Sequence, residues 1–152
     1  DALSQNWGYE EFIDSQVKEM YAMFKVFIDP RIVAFAQVDG KDVGCLLMLP
    51  NYNSILKPSQ GRITPKLVMK FLLYRKKMTE MRGYALGVKR AYHGFGIGSA
   101  LTEAMYQNCL GKTDYRVCEL SWVLANNGPM NELAQAMEGR KDKVYRVFEL
   151  SG

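Results

Sequence analysis

Histidine is almost missing from this chain of 152 residues, cysteine is scarce, and no apolar run reaches 18 residues. A single histidine, His93, and no Cys/His cluster leave no ligand set for a catalytic metal, so none is expected. Cys45, Cys109 and Cys118 are odd in number, sit in apolar surroundings and lack C-x-x-C spacing. They read as free buried thiols of a reducing cytoplasm. Without a long apolar run no transmembrane helix forms, and neither a membrane nor a nucleic acid is expected as a partner. Two phosphate-binding signatures are missing as well. Gly111-Lys112-Thr113 has the tail of a P-loop, but Tyr106 stands where that loop needs its first glycine. The dinucleotide fingerprint places Ser99 or Leu101, according to register, at its third glycine. A nucleotide-dependent enzyme is therefore disfavoured. The sequence opens on Asp1 without methionine or a signal-peptide pattern, which reads as one domain, 1–152, cut from the C-terminal part of a longer chain.

Charge is scarce on one side of the ledger. Residues 51–82 hold Lys57, Arg62, Lys66, Lys70, Arg75, Lys76, Lys77 and Arg82 against Glu80 alone, although the net charge of the whole chain is only +4. A solvated helix face accounts for such a run. The functional alternative is an electropositive surface near a cofactor or an anionic substrate. No nucleic-acid motif accompanies it.

What is present is a glycine-spaced junction. An apolar run ends at Leu86-Gly87-Val88, and His93-Gly94-Phe95-Gly96-Ile97-Gly98-Ser99 leads straight into a helical pattern with Ile97, Ala100, Leu101, Ala104 and Met105 on one face. Glycine lets a backbone approach a ligand without a Cβ clash. A helix start offers free N–H groups and the positive end of its dipole. Together they suit a phosphate group.

The remaining elements follow from periodicity and punctuation. Ile13, Val17, Met20, Tyr21 and Phe24 form a stripe, predicting a helix over 10–28 that Asp29-Pro30 ends. Runs 31–38 and 42–50 are joined by Asp39-Gly40, a hairpin signal. Thr64-Pro65 caps a helix running through Leu67, Val68, Phe71 and Leu72. Gly111 reads as the residue just past the glycine-loop helix. A strand is expected over 115–124, a helix from Asn127 to Met137 with Asn127 as its cap, and a closing strand from Val144 to Leu150. Trp122 and the aromatics of the first helix read as core.

The stretch 81–150 resembles the GNAT superfamily, the GCN5-related N-acetyltransferases. Its strand, loop, helix, strand, Asn126-Asn127-Gly128-Pro129 turn, helix and strand come in that family's order. The pyrophosphate loop of that family, Q/R-x-x-G-x-G/A, matches at Gly96 and Gly98, with His93 in the first place. Glu119-Leu120-Ser121-Trp122-Val123-Leu124 with Asn127-Gly128-Pro129-Met130 further resembles a group of uncharacterised bacterial members, in which this domain forms the C-terminal part of a longer chain. The resemblance implies an α/β (α+β) fold: a twisted mixed, mostly antiparallel sheet flanked by helices, here lacking the first strand and with a helical insert at 51–79. A missing N-terminal domain is then an expected contact.

It also implies acetyl-CoA, or another acyl-CoA, as cofactor and an amine as acceptor, reached by direct transfer. Leu86, Gly87 and Val88 would face the pantetheine arm. The amides of Gly94, Phe95, Gly96, Ile97, Gly98 and Ser99 would cradle the pyrophosphate, with His93 at the loop entrance as a hydrogen-bond donor, and Asn127 would be a further cofactor contact. Arg82 stands nearest to the glutamate some members use as base, and Ala134 stands where many place a tyrosine acid. Two substitutes are at hand. Glu119 interrupts an apolar strand, where desolvation would raise its pKa and suit it as base; it could equally be a structural carboxylate paired with a hydroxyl, an amide or an arginine. Tyr145 could supply a phenol or be a half-buried strand tyrosine. The alternative to an enzyme is a non-catalytic acyl-CoA-binding or interaction domain of a larger protein.

Overall fold

The computed structural model describes residues 14–25, 27–146 and 148. They fall into two compact units, which divide after Glu119.

The first unit is built on a four-stranded sheet in the order β1-β2-β3-β4. β1 (Val33–Val38) and β2 (Lys41–Pro50) form the hairpin expected at Asp39-Gly40. Both turn residues have positive φ, 51° and 72°, the mirror-image turn whose twist matches paired strands. β3 (Glu80–Val88) pairs antiparallel with β2. β4 (Val117–Glu119) pairs parallel with β3. A parallel pair needs a crossover, and helix α4 (Ile97–Lys112) supplies it.

Helix α4 covers one face of the sheet. Leu101, Met105 and Cys109, four residues apart, are 4–5% exposed and join Ile32, Leu46, Met48, Met81 and Tyr115 in the core. The stripe runs through Ile97 to Cys109, so Ala100 and Ala104 are exposed rather than buried. Gly44 lets the helix come close: a Cβ there would lie 3.3 Å from Ile97 Cγ2 and from Leu101 Cδ1, and 3.1 Å from the Gly87 carbonyl oxygen. Asn108 on the same helix donates to the Arg31 carbonyl.

A polar anchor sits beside this core. Arg31 Nη2 donates to Asp29 Oδ2 at 2.7 Å, and Arg31 Nε and the Arg31 amide both donate to Asp29 Oδ1 at 3.0 Å. The buried Tyr115 hydroxyl donates to Asp29 Oδ2 at 3.1 Å. Burial opposes the charge on Asp29, but the bonds from Arg31 and Tyr115 hold its pKa below the ordinary value. Burial and the Asp29 charge raise the pKa of the Tyr115 phenol.

Between β2 and β3 the chain forms helix α2 (Asn53–Leu56) and helix α3 (Pro65–Tyr74). Thr64 caps α3 as expected, its Oγ1 accepting from the Leu67 amide at 3.2 Å. An aromatic cluster anchors the segment. Phe71 lies 5.3 Å from Phe27 and 5.1 Å from Tyr52, ring centre to ring centre, and the Tyr52 hydroxyl donates to the Phe27 carbonyl at 3.0 Å.

The second unit holds helix α5 (Gly128–Ala136). Asn127 caps it, Oδ1 accepting from the Met130 amide at 3.2 Å. The helix ends on Glu138 at φ 56° with the Gly139 amide bonded to the Ala134 carbonyl, the arrangement that satisfies the last carbonyls. A Cβ on Gly139 would lie 2.7 Å from that carbonyl oxygen, so glycine is required.

Several expectations need correction. Helix α1 (Asp14–Phe24) stops four residues short of 28, and the expected start at 10–13 lies outside the described residues. Gly111 lies inside α4, which reaches Lys112 before Thr113 caps it. The strand expected over 115–124 is only Val117–Glu119. Residues 140–146 form no strand, and 147 and 149–152 lie outside the described residues. Trp122 and Tyr21 are 59% and 65% exposed, not core. The strand and burial misses involve a propensity signal that needed a tertiary partner to become a strand or a buried face.

Candidate functional site

The site begins where two parallel strands part. Glu80 pairs with Val117, Met81 with Cys118 and Arg82 with Glu119, and there β4 ends. Beyond Arg82, Gly83 to Val88 pair only with β2 among the described residues. A bulge marks the point: Met48 faces Gly83 and Leu47 faces Ala85, so Tyr84 is an extra residue on β3. A bulge bends its strand and increases the local twist, and it falls on β3 just past the last pair with β4. The backbone of Leu86, Gly87 and Val88 therefore has no strand partner on the side away from β2 among the described residues.

This edge runs into the glycine loop. A single 3-10 turn, Arg90–Tyr92, follows β3. His93 Nε2 lies 2.8 Å from the Val88 carbonyl oxygen, which fixes the loop to the strand end. Gly94 and Gly96 have φ of 82° and 74°, and nothing lies within 4 Å of where a Cβ would stand on either, or on Gly98. Gly94 and Gly96 are required by backbone conformation, and none of the three serves close packing. Phe95 is 76% exposed. Gly96 is the N-cap of α4 and offers no side-chain cap, and the first intrahelical bond is donated by Ala100 to Gly96. The amides of Ile97, Gly98 and Ser99 thus lie at the helix start without an intrahelical acceptor. The geometry fits a phosphate group: donors at the positive end of a 16-residue helix, with no side-chain cap of their own.

Polar side chains gather at the fork. Residues two apart on a strand share a face, and Arg82 pairs directly with Glu119, so Glu80, Arg82 and Glu119 project to the same side. Arg82 Nε is 3.9 Å from Glu119 Oε1. Asn51 Nδ2 donates to Glu80 Oε2 at 3.2 Å and reaches Glu119 Oε2 at 3.5 Å. Beside them a hollow of about 200 Å³ is lined by Phe27, Pro50, Asn51, Tyr52, Arg82 and Tyr84. A larger hollow of about 520 Å³ belongs to the insert, lined by Leu56, Lys57, Arg62, Ile63 and Leu67, and shares no residue with loop or fork.

The sequence-derived candidates divide accordingly. Leu86 to Val88 and His93 to Ser99 form one continuous run of strand end and loop. Glu119 is the last residue of β4, not mid-strand; its side chain is 45% exposed and ion-paired with Arg82. The desolvation expected of it is missing, and its arginine partner is the one noted at the position of the family base. Tyr145 is 72% exposed, on a segment without regular structure. Asn127 and Tyr145 lie in the second unit. Asn51, Glu80, Tyr52 and Tyr84 escaped the sequence analysis. Only the alternation of Glu80 and Arg82 at the start of a strand pointed that way. The three thiols are free but not all buried, Cys45 and Cys118 being half-buried; burial raises the pKa of Cys109 and pushes Cys118 up to about 11. No group of ligating side chains that could hold a metal occurs among the described residues.

No family model matches the chain. The bacterial ceramide synthase of Caulobacter vibrioides is 30% identical over 98% of this chain and 40% of its own length. The chain spans about two fifths of the curated relatives it matches. Among solved structures, a possible acetyltransferase from Clostridium difficile 630 matches 99% of this chain and 85% of its own, with a TM-score of 0.61 and 14% identity. AAC(6')-Iy, in complex with the bisubstrate analogue CoA-S-monomethyl-acetylneamine, matches 99% of this chain and 86% of its own, with a TM-score of 0.58 and 11% identity. Parted parallel strands, an open glycine loop and these likenesses give the chain the fold of the GNAT acetyltransferases, the GCN5-related N-acetyltransferases.

Proposed function

We propose that this chain is the acyl-CoA-binding domain of an N-acyltransferase that passes an acyl group directly to an amine. The observation that carries the proposal is the unbroken run from the open edge of β3 into the uncapped start of α4. In this assignment the backbone of Leu86, Gly87 and Val88 aligns the pantetheine arm, and the amides from Gly94 to Ser99 hold the pyrophosphate, with His93 fixing the loop. Bound acyl-CoA supplies the activated carbonyl. The AAC(6')-Iy complex supports a CoA compound on this fold. The ceramide synthase supports an amine acceptor, ceramide being the N-acyl derivative of a long-chain amino alcohol. Acyl transfer also needs an uncharged amine and a proton for the leaving thiolate. Glu119, or Glu80 across the Asn51 bridge, is the carboxylate available at the fork to take the amine proton, directly or through water. Asn127 as a cofactor contact and Tyr145 as the acid are assignments from the sequence alone.

The second reading is a binding domain without turnover. It is favoured by the Arg82–Glu119 ion pair, which occupies the expected base. Both readings require the loop. Replacing Gly96 by valine puts a β-branched residue at a φ of 74° and a side chain over the helix start. Calorimetry on folded Gly96→Val should show at least a tenfold loss of acetyl-CoA affinity, equivalent to about 1.4 kcal/mol; unchanged affinity refutes both readings. Turnover of acyl-CoA with a long-chain amine by the full-length protein then separates enzyme from binder.

A further inference from the structure

Helix α3 is turned the wrong way round for a surface helix. Leu67 and Phe71 face inward, Phe71 into the aromatic cluster with Phe27 and Tyr52. At 100° per residue, Val68, Leu72, Pro65, Met69 and Leu73 make one continuous stripe on the opposite side. That side is open: Val68 is 47% exposed, Met69 60%, Leu72 56% and Leu73 63%, and Ile63 just before the helix is 86% exposed. Contiguous apolar patches of this kind mark an interaction surface. Cations frame the stripe. Lys66 is exposed beside it, Lys70 and Arg75 are half-buried at its two margins, and Arg62 and Lys77 are exposed at its two ends. From residue 51 to residue 79 the chain has seven lysines and arginines and no aspartate or glutamate.

We propose that α3 docks this face on the surface of a bilayer containing anionic phospholipid. An outward apolar stripe with a purely basic border is the pattern of an interfacial helix: apolar side chains enter the acyl boundary while cations meet the headgroups. A protein partner of mixed charge would leave seven cations without a carboxylate in their own segment. Docking of this kind crosses nothing, and no described helix is long and apolar enough to span a membrane. It does depart from the expectation that the chain has no membrane partner. That expectation rested on the lack of a long apolar run and could not know which face of α3 the aromatic cluster would cover. The proposal rests on the insert alone and stands whether or not the glycine loop binds CoA.

Co-sedimentation of the full chain with vesicles tests it. The protein should pellet with vesicles of mixed phosphatidylcholine and phosphatidylglycerol, not with phosphatidylcholine alone, and binding should fall as salt screens the headgroups. The double variant Lys66→Glu/Lys70→Glu should weaken binding by roughly tenfold or more. Leu72→Ser/Leu73→Ser keeps every charge and should weaken it as well; both pairs lie on the exposed side or its border, so circular dichroism should show unchanged folding. No pelleting with anionic vesicles overturns the proposal. Binding that ignores the leucine pair overturns the insertion of the apolar face, leaving charge attraction only. A concentration-dependent dimer that the leucine pair abolishes, without vesicle binding, gives the face to a second copy instead.

Discussion

Helices α3 and α4 carry similar side chains and put them to opposite use. In α4, Leu101, Met105 and Cys109 are sealed against the sheet, and the exposed side bears Glu103, Tyr106 and Gln107. In α3, Leu67 and Phe71 are turned in, while Val68, Met69, Leu72 and Leu73 face out. Their starts differ in the same sense. Thr64 closes the first turn of α3 with its own hydroxyl, whereas α4 starts on Gly96 with no side-chain cap. One helix presents its side and hides its end; the other hides its side and presents its end. Periodicity reports that a stripe exists. It does not report which stripe is covered, and a cap tells more about ligand access than the apolar pattern does.

Core truncation should break the contrast most sharply. Leu101→Ala removes a side chain 4% exposed and should cost about 2–5 kcal/mol in denaturant unfolding. Leu72→Ser, on the open face of α3, should stay within about 0.5 kcal/mol. Equal losses would mean that α3 is covered in solution.

The anchor beneath α4 comes next. Asp29→Ala removes the acceptor for Arg31 and Tyr115 and should cost about 1.5–3 kcal/mol. Its folded pKa is depressed, so the unfolded chain takes up the proton first as pH falls. The contribution is complete above the ordinary value of 3.8 and fades as pH drops from there through the folded value. The stability gap between wild type and Asp29→Asn should be level near neutral pH and close in acid; a gap that widens in acid would contradict the depressed pKa.

Smaller still is the cap. Thr64→Ala should lower stability by about 1 kcal/mol and leave acetyl-CoA affinity untouched, in contrast to Gly96→Val. A loss of affinity on Thr64→Ala would tie the insert to the cofactor site.

Glu119→Gln should change stability little, by about 1 kcal/mol or less, because its partner Arg82 is 3.9 Å away and both side chains are more than 40% exposed. If Glu119 is the base, turnover should fall and the acidic limb of the pH–rate profile should vanish. Wild-type turnover with an unaltered profile moves the chemistry to Glu80 or away from the fork.

What the sequence determined by itself was local. Asp39-Gly40 had to turn a hairpin, since both positions need positive φ. Thr64-Pro65 and Asn127 had to cap helices, and the alternating glycines had to make an open loop at a helix start. In each case the controlling interaction spans a few residues, so the side chains concerned stand together in the chain. Tertiary structure decided the rest. The strand read over 115–124 closed at Glu119 because only three of its residues find partners on β3. Arg82 met Glu119, and Asn51 met Glu80, across 37 and 29 residues of chain. Tyr84 became a bulge only through the register of β2 against β3. The outward face of α3 was set by an aromatic cluster that joins Phe27, Tyr52 and Phe71. Strand pairing and helix orientation depend on which distant surface removes most apolar area from water, and no window of neighbouring residues contains that surface.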